Sequence, residues 1–174
     1  MRRGYAARLR RDVMYIHMNK SRLRRYYIFA LLTALIINED MVEWALAIIV
    51  GEQSLLNGYR SAFKYFTISG YMFLTCFRLI PYVVLMVTVH ALSKRQKNLV
   101  YPVFWGGLVG ILSLIVWGTW EALRPLYTDE HMSSTTSLIF LFLPIYSIFT
   151  GVMGAGIGIF IYSLSSGNRH IKET

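Results

Sequence analysis

Four long apolar runs, at residues 26–51, 65–92, 102–123 and 137–164, constrain this chain more than any other feature of it. Each exceeds the roughly 20 residues needed to cross about 30 Å of hydrocarbon at about 1.5 Å per residue. The expected fold is all-α: a polytopic membrane protein with four transmembrane helices and both termini cytoplasmic, preceded by a basic amphipathic N-terminal helix. The composition fits this, with only 16% charged residues and a mean hydropathy of +0.46, where a soluble domain carries about 25% charged residues.

Direction follows from the basic residues. Residues 1–25 hold nine of the eighteen: Arg2, Arg3, Arg8, Arg10, Arg11, Lys20, Arg22, Arg24 and Arg25. The loop after the second run adds Lys94, Arg95 and Lys97, and the tail adds Arg169 and Lys172. The opposite side carries only Arg60, Lys64 and Arg124. Basic residues accumulate on the cytoplasmic side, so the chain is expected to run N-in/C-in through a plasma membrane, taken as the bacterial inner membrane. It divides into a basic arm at 1–25, a transmembrane domain at 26–164 and a short tail at 165–174. The arm is too charged, and lacks the small-residue site, to read as a removed signal peptide.

Within the arm, Tyr5, Leu9, Val13 and Ile16 recur at helical spacing, the pattern of a helix lying on a membrane surface. Each Lys or Arg near an anionic leaflet contributes about 1 kcal/mol. Arg8, Arg10, Arg11, Lys20, Arg22, Arg24 and Arg25 are therefore expected to hold the anionic inner leaflet or a cytosolic or membrane protein partner. The plainer alternative is a flank that only sets orientation. Nucleic acid is not an expected partner, because no aromatic stacking pattern accompanies the charge.

Charge inside the apolar runs carries the central expectation. Glu39, Asp40 and Glu43 lie in the middle of the first run, and Arg78 lies at similar depth in the second. An unpaired charge at the bilayer centre costs about 2.5 to 3.5 kcal/mol. Arg78 is expected to pair with Glu39 or Glu43, leaving a surplus carboxylate protonated, hydrated or paired elsewhere. With no Gly or Pro at residues 38–40, a continuous helix is expected. The alternative is two half-helices, 26–37 and 41–51, with the acids lining a cavity. Three roles fit such a cluster: a lock between helices, a proton or cation path, or a site for a lipid headgroup or another subunit.

In the fourth run Gly151, Gly154, Ala155 and Gly158 fall at i, i+3, i+4 and i+7, a small-residue face for close helix packing, within the bundle or against a second copy. A homo-oligomer is expected on that basis. Pro81 and Pro144 are expected to bend their helices, and Trp105, Trp117 and Trp120 to mark the two interfaces.

Absences narrow the function. Cys76 is the only cysteine, so disulfides and thiolate metal sites are excluded. Asp129, Glu130 and His131 are adjacent and rarely converge on one ion without help, so no metal is expected. No nucleotide-binding or hydrolase motif occurs, so no cofactor and no enzymatic activity are expected, an intramembrane enzyme being the residual case. What remains is a small membrane anchor or sensor subunit of a larger assembly. Its alternative is a channel or transporter subunit moving protons, cations or small molecules past the acids. A phage-defence or secretion component fits the architecture, although no residue selects it.

Overall fold

The computed structural model describes residue 21 and residues 23–64, 66–128 and 136–170, with backbone alone at 136–137 and 166–170. The described residues form helices and no strand. In chain order they are α1 (residues 23–36), α2 (Glu39–Ile49), α3 (Leu55–Ala62), α4 (Ile68–Arg95), α5 (Val100–Leu123) and α6 (Thr136–His170), with single 3-10 turns at Lys97–Leu99 and Arg124–Leu126. Most of the basic arm, including Arg8, Arg10, Arg11, Lys20 and Arg22, lies outside the described residues, as do Asp129, Glu130 and His131. Three helical stretches are long and apolar enough to cross a membrane: Ile68–Arg95, Lys97–Leu126 and Leu138–Ser165.

The first apolar run departs from the expected continuous helix. The last bond of α1 runs from Ile37 N to Thr33 O at 2.9 Å, and α2 opens with Val42 N on Asn38 O at 3.1 Å. Between them Asn38 is extended, at φ −126° and ψ 174°, and its side-chain oxygen accepts from Met41 N at 2.8 Å. Asparagine is among the strongest N-caps, and the two acids of the first turn, Glu39 and Asp40, sit at the positive end of the α2 dipole. A new helix start, rather than a glycine or proline, interrupts the run.

Helices α5 and α6 approach each other most closely. A Cβ added to Gly106 would collide with Gly154 O, one on Gly154 with Gly106 O, and one on Gly158 with Pro102 O. Only the missing side chains let the two backbones touch, which is the packing available to helices that gain nothing from burying apolar surface in lipid. Ala30 and Ala34 of α1, Tyr82, Leu85 and Val89 of α4, and Phe104, Leu108 and Ile111 of α5 form the main core. Val42 and Leu46 of α2 pack with Leu123, Trp120 and Tyr127 in a second cluster at the other end.

The outward face is as apolar as the core. Ile36, Val87, Val109, Trp117, Phe149, Met153 and Phe160 are all exposed. Soluble monomers rarely present so continuous an apolar surface. The α6 helix continues to His170, past the expected end of its span at residue 164.

Candidate functional site

The interruption at residues 37–38 leaves the last carbonyls of α1 without helical partners, a deficit that costs several kcal/mol per group in hydrocarbon. Helix α4 supplies the donors. Arg78 Nη1 donates to Ala34 O at 3.4 Å, and Tyr71 OH donates to Leu35 O at 3.1 Å. Arg78 Nη2 also pairs with the carboxylate of Glu39, the first residue of α2. One guanidinium thus grips the end of one half-helix and the start of the next. Arg78 is 1% exposed, and its charge lies 5.9 Å from the centroid of the Tyr71 ring, at the outer limit of a cation–π contact.

These donors share one face. Tyr71, Thr75, Arg78 and Tyr82 follow at i, i+4, i+7 and i+11 along α4, a polar-capable stripe on an otherwise apolar helix. Thr75 Oγ1, Arg78 Nε and Tyr82 OH are buried and find no hydrogen-bond partner among the described residues.

The acids do not stay together. The structure brings Arg78 to Glu39 and not to Glu43. One turn further, Glu43 accepts from Tyr127 OH at 3.5 Å, tying α2 to the end of α5. Burial holds the Tyr127 phenol above the ordinary tyrosine range and the Glu43 charge pushes the same way, so Tyr127 remains a donor to the carboxylate. Asp40 is half-buried and accepts no hydrogen bond from a described residue. Trp44 Nε1 donates to Leu55 O at 3.1 Å and fastens α3 onto α2.

Three residues of this site, Asn38, Tyr71 and Tyr127, were not anticipated. Two of them left a signal: Asn38 before two acids is a helix-start signature, and Tyr71 lies two helical turns before Arg78.

The small-residue face lies within the chain. Gly154 and Gly158 meet the α5 backbone, a Cβ on Gly151 would stand 2.8 Å from Ile111 Cγ1, and Ala155 packs on the main core. Gly156 has nothing within 4 Å of its would-be Cβ. Arg24 and Arg25, the described part of the basic set, are exposed on the first turn of α1. Near them Tyr27 OH and His90 Nδ1 are 3.0 Å apart, joining α1 to α4. Among the described residues no three His, Cys, Asp or Glu side chains are grouped to hold a metal ion.

Through Ala34 O and Glu39, Arg78 bridges the two half-helices, and losing it strands the carboxylate and a backbone carbonyl together. No protein family, curated protein or solved structure matches this chain.

Proposed function

We propose that this chain is a membrane-embedded anchor or sensor subunit of a larger assembly, crossing the plasma membrane four times with both termini inside. In this reading α1 and α2 together make the fourth crossing. The basic arm holds the anionic leaflet or a protein partner, and the braced break sets the conformation that the partner meets. One observation carries the reading: the most deeply buried charge in the described bundle, Arg78, is engaged by backbone and carboxylate on both sides of the interruption. A charge engaged on both sides of a break supports a fixed geometry better than it supports a path for a passing ion.

The test is the angle itself. Spin labels at Ile28 and Ile49, both exposed, on a Cys76→Ser background would report the distance between the half-helices. A single narrow distance in wild type that broadens in Arg78→Gln supports the brace; an unchanged distribution removes it.

A second reading has its own observation. Asp40 and Glu43 are half-buried, Asp40 has no donor among the described residues, and interrupted helices often border ion sites. Proton or cation flux in vesicles holding the purified protein, lost in Asp40→Asn or Glu43→Gln with assembly intact, would replace the anchor by a conductance pathway.

A further inference from the structure

A groove of about 870 Å³ runs between α1 and α4, with no residue of α5 or α6 in its lining. Its walls are one continuous face of each helix: Tyr27, Ala30 and Leu31 on α1, and Leu79, Val83 and Val87 on α4. The depth is apolar but for Tyr82. The mouth is not, because Lys94 and Arg95, exposed in the last turn of α4, line it. Just inside them the Tyr27–His90 hydrogen bond places a hydroxyl and an imidazole at the rim. From residue 79 to residue 120 the sequence contains no Asp or Glu, and none occurs from 21 to 38. The walls and the mouth therefore supply no carboxylate to neutralise the two cations.

An apolar slot closed by cations at the membrane boundary has the polarity of one lipid. We infer that the groove is a binding site for an anionic phospholipid, one acyl chain lying between α1 and α4 and the phosphate at Lys94 and Arg95. The inference rests on the chain being a membrane protein, and is independent of whether it anchors a partner or conducts an ion. The arm at residues 1–25 complements the slot less well, since its nine basic residues repeat the sign of the mouth. A second groove, of about 780 Å³ between α5 and α6, has no charged residue in its lining and serves as the internal comparison.

Native mass spectrometry of the full chain, released from detergent with phosphatidylglycerol or phosphatidylcholine, measures the preference directly. Wild type should bind phosphatidylglycerol about thirty-fold more tightly, the factor that two such cations add near an anionic headgroup. Lys94→Gln with Arg95→Gln should bind the two lipids alike. Val83→Trp with Val87→Trp, at exposed positions on the groove wall, should lose the tightly held lipid, whereas Val109→Trp in the uncharged groove should keep it. Wild type alone gives a further check, because about 1 M salt shortens the screening length to about 3 Å and should erase the preference. A preference that survives the double glutamine variant or the salt, or a lipid retained by the tryptophan pair, overturns the site. So does phosphatidylglycerol binding that strengthens when residues 1–20 are deleted, which would make the arm the occupant. Failure of the spin-label experiment leaves every one of these outcomes unchanged.

Discussion

Arg78 bonds two groups at once, Ala34 O and the Glu39 carboxylate, so its removal is felt at both. Arg78→Met keeps the bulk of the side chain while leaving Glu39 unpaired and Ala34 O without its donor. Breaking a buried pair costs about 3–5 kcal/mol, and because the Glu39 side chain is 19% exposed the lower end is expected, read from unfolding in detergent. Adding Glu39→Gln should recover part of that loss, whereas simple additivity of the two changes would dissolve the pair. Smaller effects are expected around it. Tyr71→Phe removes the nearer of two donors to Leu35 O, Asn38 Nδ2 at 3.5 Å being the other, and should cost about 0.5–1.5 kcal/mol. Asn38→Ala removes the cap on Met41 N and should cost about 1 kcal/mol. The meeting of Arg78 with an acid of the first run is legible in the sequence, because counting along two antiparallel apolar runs brings both to the same level without tertiary knowledge. The place of the break is legible only as the less favoured alternative of two half-helices meeting at residues 38–40, because no glycine or proline stands there, whereas an N-cap restarts a helix without either.

At the scale of elements, the pairing of α5 with α6 depends on glycines that carry nothing. The spacing of Gly151, Gly154, Ala155 and Gly158 identified a face but could not name what lies against it, since a stripe seeks any other close-approaching backbone. The partner carries the same spacing in Gly106 and Gly110, and a Cβ at Gly110 would strike Thr150 O. Two matched substitutions separate packing from propensity. Gly154→Ala forces the backbones apart and should destabilise the protein by about 1–3 kcal/mol, the usual cost of overpacking. Gly156→Ala, two residues along and facing open space, should stabilise it by about 0.4–1 kcal/mol through a less mobile unfolded chain. Thermal unfolding in detergent reads both. Equal responses would mean that the α5–α6 contact is looser than the glycines require. Since this face is filled from within the chain, any self-association has to use another surface, and the exposed side of α6 around Phe149 and Met153 is apolar enough to serve.

At the scale of the whole molecule, the question is whether the broken run crosses the membrane or turns back. Helix α1 spans about 21 Å and α2 about 16 Å, together enough for about 30 Å of hydrocarbon if they continue in one direction. Charge distribution favours a crossing. With four crossings, fourteen of the flanking Lys and Arg residues fall on one side and three on the other. If the first run were re-entrant, the nine of the arm would join Arg60, Lys64 and Arg124, and the division would fall to twelve against five. The positive-inside bias selects the sharper division. The two arrangements differ at one place that can be labelled. In a Cys76→Ser background, cysteine at Ser21, at Asn57 on the exposed face of α3, or at Gln96 after α4 would be probed with a membrane-impermeant maleimide on intact cells. Asn57→Cys should react at once, and Ser21→Cys and Gln96→Cys only after permeabilisation. Reaction of Ser21→Cys alongside Asn57→Cys would make the first run a hairpin, put the termini on opposite faces and leave three crossings. Glu39 would then sit at the tip of a re-entrant loop with Arg78 of α4 against it, and since backbone that turns at membrane depth is buried in protein or lines a water-filled cavity, the conductance reading would displace the anchor.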